Sequence, residues 1–415
     1  MEVDMMKEIE TMAAFPMRGP TKPGEKEAAE YLAGRIEEIG LQTTVEPYRI
    51  SPHYYWVYFT HVLLAILAGV ATIWTRPAWI PWLMAAVLAF ITVSFWGDLT
   101  TKFHLIRNII PRYPSQNVVG VIPNQQAKRR IIVSAHIDAA KVGGLVFNPD
   151  LDEKVAKFYK EKFDSTPNVM MPILLTMVGL LVVAVVRAIV PSGAAMWTVT
   201  WIIQGLCTIG LLIALVSFFD IGTGVYVPGA CDNLSGIAAC MSICESLLAE
   251  PLAGSELNFV GFGCEEAIMM GAVQYMKKHG RELDRENTYF INLESIGYGT
   301  VRYGTSEGFV RVRPYSSELV GIAQRLKQSG EFEEIGTYDV RLGTDAMVPL
   351  VRGFKAISIF GFNDNNFVPN YHTPEDTPEN MDIRVTERAR PGAGDDTRAG
   401  QGVRRAVLPS AIPCG

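Results

Sequence analysis

I-I-V-S-A-H-I-D, residues 131–138, is the stretch from which the rest of the chain is read. A short apolar run of this kind reads as a strand, and His136 arrives where the run ends. Asp138 follows two residues on, placed to accept the second N–H of the imidazole and fix its tautomer, as is usual for a metal-binding histidine. The same grammar recurs downstream. G-A-C-D-N at 229–233, C-E-E at 264–266, N-L-E-S at 292–295 and Y-H-T-P at 371–374 each close or follow a short apolar run. Together they offer two imidazoles and several carboxylates, the donor types that a pair of zinc ions and a general base require. Asp232 sits in a turn that opens a helix, where a carboxylate can bridge two metals, and Asn233, Ser235 and Gly236 shape that turn. Glu265 and Glu266 are adjacent, so their side chains diverge; one can bind metal while the other points at a water. Glu294 adds a further oxygen and His372 the second imidazole. A His-x-Asp or a Glu-Glu alone is common by chance; the ordered set at strand ends is what carries weight.

Working outward, strand-like runs at 117–122, 131–135, 256–262, 289–293 and 355–361 alternate with helices expected at 235–250, 267–279 and 316–329. This alternation predicts an α/β fold with a mostly parallel central sheet flanked by helices, whose sites gather at strand C-terminal ends. Residues 24–39 read as an amphipathic helix with Ala28, Leu32, Ile36 and Ile39 on one face, and Gly40 suits its stop.

Four long apolar segments interrupt this pattern. They run over Tyr54–Thr75, Trp79–Gly97, about Met171 to Val190 and Met196–Phe219, each near the ~20 residues that cross a hydrocarbon core. Tight turns join them into two hairpins. The organisation expected is therefore 1–53, 98–170 and 220–383 as one catalytic domain, hairpins at 54–97 and 171–219, and a tail at 384–415 that reads as disordered. Aromatic residues at 54–56, 79, 82, 96 and 197 suit membrane interfaces, and Arg187, near a segment end, is expected to snorkel outward. Lys102, Arg107, Arg112, Lys154, Lys157, Lys160 and Lys162 flank the hairpins on the catalytic side, against Arg76 and Arg187 opposite, so the catalytic side reads as cytoplasmic. Residues 151–163 carry Leu151, Val155, Phe158, Tyr159 and Phe163 at helical spacing. That helix either lies on the membrane surface or packs on the enzyme domain.

Composition sets bounds. Of 415 residues, 49% are hydrophobic and 19% charged, which is apolar for a soluble enzyme. The formal charge of −6 has no basic block, so nucleic acid is not an expected partner. Six cysteines form no disulfide framework and suit a reducing compartment. M-E-V-D-M-M-K-E-I-E has no apolar core and does not read as a signal peptide. His53, His61 and His104 read as membrane-interface residues and His279 as a cation at a helix C-terminus.

The motifs resemble the co-catalytic zinc peptidases of the MH clan, which include bacterial leucyl-type aminopeptidases, glutamate carboxypeptidases and glutaminyl cyclases. R-G-P-T-K-P-G-E-K-E-A-A-E-Y-L looks like the family's opening helix, and N-V-V-G-V-I-P with I-I-V-S-A-H-I-D like its first strand pair. G-A-C-D-N-L-S-G and Y-H-T-P-E-D-T-P-E-N-M-D are the most specific matches. The resemblance implies two zinc ions: one on His136, Asp232 and Glu294, the other on Asp232, Glu266 and His372, with Asp232 bridging. It implies Glu265 as general base, Asp138 as orienter of His136 and Tyr371 as a donor to the tetrahedral oxyanion.

Three departures stand out. Glu294 occupies a position where the family usually has Asp; Ala346, in G-T-D-A, stands where many relatives have His; and the tail lacks the amphipathic helix that usually follows E-N-M-D. The expected activity is that of a membrane-anchored exopeptidase, foremost an aminopeptidase acting on short peptides. The alternatives are a carboxypeptidase, a glutaminyl-cyclase-like enzyme or a silent membrane scaffold. The full ligand set argues against the scaffold, and keeping both His136 and Glu294 argues against a one-zinc cyclase. A transporter is disfavoured because the spans are few, nearly uncharged and unbroken.

Overall fold

The computed structural model describes residues 3–74, 77–145, 148–190, 192–193, 195–328 and 336–382. Its strands are β1 Gln42–Ile50, β2 Tyr113–Ile122, β3 Arg129–His136, β4 Lys141–Val142, β5 Val225–Tyr226, β6 Ser255–Phe262, β7 Thr288–Glu294, β8 Thr300–Glu307, β9 Arg313–Pro314, β10 Gly336–Val340 and β11 Lys355–Phe362. The main sheet has the order β1-β2-β6-β3-β7-β11-β8-β10, with β9 on β8. The pairs β6–β3, β3–β7 and β7–β11 are parallel, and β10 runs parallel to β8. The pairs β1–β2, β2–β6, β11–β8 and β8–β9 are antiparallel. A mostly parallel sheet was expected; the sheet is mixed, with a parallel centre. The reason is visible in burial. The four central strands are buried along nearly their whole length, as strands covered on both faces must be. From Val45 to Ile50, β1 is exposed at alternate positions, which suits a meander edge.

The helices are α1 Met5–Ala13, α2 Pro23–Ile39, α3 Tyr54–Ala71, α4 Trp79–Leu99, α5 Pro149–Phe163, α6 Met170–Ile189, α7 Met196–Thr223, α8 Gly236–Ala249, α9 Met270–His279, α10 Ser317–Gln328 and α11 Met347–Val351. α2 ends where predicted, at Gly40 in the left-handed conformation with φ 117°. α8 runs beneath the sheet centre and contacts β3, β6 and β7. The four long apolar segments are α3, α4, α6 and α7, and they pack on one another. All four are long and apolar enough to cross a membrane.

Arg187 departs from expectation. It is 3% exposed and bonds Thr200 and Thr72 at 3.1 and 2.9 Å, and also Gln204. Its guanidinium lies over the rings of Trp197 and Trp201. Instead of snorkelling, its Nε and Nη1 donate to three polar side chains inside the bundle, and Nη2 has no hydrogen-bond partner among the described residues. His61 likewise lies inside the bundle, between Val57 O and Ser94 Oγ, rather than at an interface. His279 faces the Glu46 carboxylate at 2.9 Å as well as ending a helix. The expected tail at 384–415 lies outside the described residues.

Candidate metal centre

Because β6, β3, β7 and β11 run side by side in the same direction, the loops after them leave one edge of the sheet. His136 ends β3 and Glu294 ends β7. Glu265 and Glu266 form a single turn after β6, and His372 lies in the loop after β11. Asp232 comes from the irregular turn at 230–235 that feeds α8.

These loops converge on Asp232. Its Oδ1 lies 3.2 Å from His136 Nε2, and its Oδ2 lies 3.2 Å from His372 Nε2. Glu294 Oε1 approaches His136 Nε2 at 3.1 Å, and Glu266 Oε1 approaches His372 Nε2 at 3.3 Å. Two groups result, His136–Asp232–Glu294 and Asp232–Glu266–His372, sharing one carboxylate. Glu265 also reaches His136 in company with Glu266, so the adjacent acids converge on one cavity rather than diverge.

The groups fit zinc on three physical counts. Atoms bound tetrahedrally at about 2.0–2.1 Å from one ion are themselves roughly 3.3 Å apart, the spacing seen here. The tautomer agrees as well. His136 Nδ1 stands 2.9 Å from the backbone carbonyl of Asp138, which can only accept, so Nδ1 carries the hydrogen and Nε2 is free to ligate. That leaves Nε2 facing two anionic oxygens, an arrangement that calls for a cation between them.

Charge is the third count. Burial, then neighbouring carboxylates, pushes Glu265 well above the usual range and Glu294 up to about 7. Burial opposes the charged form of His372, yet Glu266 and Asp232 outweigh it and hold the imidazole at about 10. Burial opposes ionisation of Asp232 as well, but both imidazoles hold it well below the usual range, so its negative charge stays between the histidines, where a cation would neutralise it.

Asp138 plays a different part from the one predicted. Its carboxylate lies 3.7 Å from His136 Nδ1 and instead accepts the backbone N–H groups of Glu265 and Glu266, at 2.9 and 3.0 Å. It thereby ties the β3 loop to the β6 loop. Tyr371 stacks its ring on His372, with centroids 3.8 Å apart and planes at 17°.

Other supports lie in or beside the quoted motifs, but their bonding partners are not legible there. Arg18, fully buried, donates to the carbonyls of Ile137, Pro228 and Gly229 at 2.7, 2.6 and 2.8 Å, strapping together two ligand-bearing loops. Asp376 accepts from Cys231 N and Asp232 N at 2.7 and 3.1 Å. Glu25 accepts from Cys264 N at 2.8 Å. Asn233 donates to Glu294 Oε1 at 3.2 Å, and Asn292 donates to Glu294 Oε2 at 3.0 Å, so the longer side chain is held at both oxygens.

One support comes from the apolar helices. Arg107 grips Asp98, near the end of α4, through Nε and Nη2 at 2.8 and 2.6 Å. Its Nη1 then donates to Ala267 O at 3.0 Å and Ser51 O at 3.1 Å. Ala267 is the residue after Glu266, so the first hairpin is wired to the turn that presents both glutamates.

Residues 212–392 match the model of peptidase family M28. Aminopeptidase YwaD of Bacillus subtilis is 29% identical over 171 residues, which is 40% of this chain and 36% of that protein. The chain thus spans about a third of the length of the curated relative it matches.

Among solved structures, a Zn-dependent exopeptidase from Parabacteroides distasonis aligns over 99% of both chains with a TM-score of 0.51 at 12% identity. A Bacteroides thetaiotaomicron glutaminyl cyclase gives 0.53 at 13% identity over 99% of both chains. The zinc aminopeptidase BSAP of Bacillus subtilis gives 0.52 at 11% identity, covering 97% of this chain and 93% of that one. At these identities the likeness establishes the fold. The sequence match to peptidase family M28 covers the segment that supplies Asp232, Glu265, Glu266, Glu294 and His372.

Proposed function

We propose that the chain is a membrane-anchored, zinc-dependent exopeptidase that removes N-terminal residues from short peptides. The observation that carries this reading is the Asp232 carboxylate held between two imidazoles, with Glu266 and Glu294 completing a ligand group on either side. His136, Asp232 and Glu294 would hold one zinc ion, and Asp232, Glu266 and His372 a second. Zinc bound there supplies Lewis acidity toward the scissile carbonyl and toward water.

The chain's own residues do the rest. Glu265, ionised once cationic charge occupies the site, would take a proton from the attacking water and return it to the leaving amine. Asp138 fixes the turn that aims Glu265, through the Glu265 and Glu266 N–H groups. Tyr371, ordered by its stack on His372, is the candidate donor to the oxyanion. Helices α3, α4, α6 and α7 would cross the bilayer as two hairpins, with the catalytic domain on the lysine-rich, cytoplasmic side.

The test is zinc per chain in detergent-purified protein, with turnover of free and N-blocked aminoacyl amides and of an N-terminal glutaminyl peptide. Two zinc ions and cleavage of the free amide alone support the aminopeptidase. Glu265→Gln should keep the metal and lose about 10²–10⁴-fold in rate. Cyclisation of the glutaminyl peptide would instead favour the cyclase reading, and neither activity would turn attention to carboxypeptidase substrates.

A further inference from the structure

Helix α5 has an apolar face that the protein leaves uncovered. Leu151 is 58% exposed and Phe158 52%, and Val155 is exposed between them. Phe158, Tyr159 and Phe163 form a mutual aromatic cluster, with centroids 5.5–6.2 Å apart, although Phe163 is 60% exposed. The opposite side of the helix is the one that touches the enzyme. Ala156 is buried, Glu153 accepts from Asn363 and Asn365 at 2.7 and 2.8 Å, and Lys160 bonds Asp364 O. The helix is therefore hung from the 363–365 loop, which leads on to Tyr371 and His372, with its apolar side facing away.

Both ends of the segment are fixed at the level where the apolar helices emerge. Just before α5, Leu145 N donates to Asp220 Oδ2 at 2.9 Å and Lys141 bonds Gly222 O, both near the end of α7. Just after it, Met170 begins α6. Apolar side chains are also exposed beside and on α6 and α7, among them Val169, Leu175 and Phe219. Lys154 flanks the stripe and Lys162 closes it one turn beyond Phe158, and both have the reach to keep their ammonium groups in water.

We propose that α5 lies flat in the surface layer of the bilayer that the four helices cross, with Leu151, Val155 and Phe158 turned about 5–10 Å into the headgroup–acyl boundary. The inference rests on reading α3, α4, α6 and α7 as spans. The lipid surface is then the floor beneath the loop that carries His372.

The test places a nitroxide on single cysteines in the full chain, with Cys207 and Cys414 replaced by Ser, in phosphatidylcholine vesicles. The positions are Phe158→Cys and Leu151→Cys on the apolar stripe, Lys157→Cys on its flank and Leu212→Cys in the middle of α7. Collision with oxygen and with a water-soluble nickel chelate is then measured. The expected result is nickel access at 158 and 151 reduced at least tenfold relative to 157, with 212 shielded most. Stripe positions as open to nickel as 157, with 212 shielded, would overturn the interfacial helix and leave the spans standing. An open label at 212 would overturn the spans and the proposal with them. Either stripe position suffices should the other variant fail to fold.

Discussion

The two apolar hairpins are similar in composition and different in wiring. In the first, α3 and α4 direct their polar groups toward the catalytic domain: Tyr58 and Arg107 both bond Asp98, and Arg107 continues to Ala267 O beside Glu266. In the second, the polar cluster of Arg187, Thr200 and Gln204 lies toward the far turn and, outside its own hairpin, bonds Thr72 and Gly69 at the end of α3. Its near end is tied to the segment before α5 through Asp220 and Gly222. The first hairpin thus shares a hydrogen-bonded frame with the glutamate turn, whereas the second holds the bundle together and supports the rim. Arg suits the first task because its planar fork binds a carboxylate in two places and still spares a donor.

The comparison breaks most readily at Arg107. Arg107→Ala leaves Asp98 buried without its countercharge, a loss of about 3–5 kcal/mol. Unfolding in mixed micelles should show that loss, together with most of the peptide hydrolysis. Arg107→Lys, which keeps the charge but not the fork, should recover stability more than rate. Equal recovery of both would mean that Arg107 holds the fold alone and does not aim the turn. Asp98→Asn comes next. It weakens charge-assisted bonds worth about 1.5–3 kcal/mol and should lower kcat with KM little changed. The smallest effect belongs to the second hairpin. Arg187→Met exchanges interhelical bonds for packing, so stability should move by about 1 kcal/mol or less and hydrolysis not at all. If Arg187→Met slowed hydrolysis as Asp98→Asn does, the two hairpins would be equivalent after all.

What could be read in advance follows from how each feature is encoded. His136 and Glu294 sit at the ends of continuous apolar runs, and such runs are visible in one dimension. α3, α4, α6 and α7 were visible for the same reason, to within a few residues of their ends. β8, T-V-R-Y-G-T-S-E, was missed because half-buried positions and a glycine leave no clean alternation. α1 was missed for its shortness, though Met5, Ile9 and Met12 do share a face. Arg18, Glu25 and Asp376 were invisible as supports because their partners are mostly main-chain groups, some more than a hundred residues away. Arg187 was misread for a related reason. Its fate depends on Thr72 and Gln204, which belong to two other helices.

The place of β3 in the sheet bears on how the protein is made. It pairs with β6 on one side and β7 on the other, and both are encoded more than a hundred residues after His136. At the ~5–20 residues per second of synthesis, the central strand waits several seconds or more with both edges open. During that wait the ribosome delivers the whole second hairpin. With α6 and α7 crossing a bilayer as proposed, the sheet would close only after the chain had committed to the membrane, and a delay in inserting them would leave an unpaired apolar strand at its surface, where aggregation competes with folding.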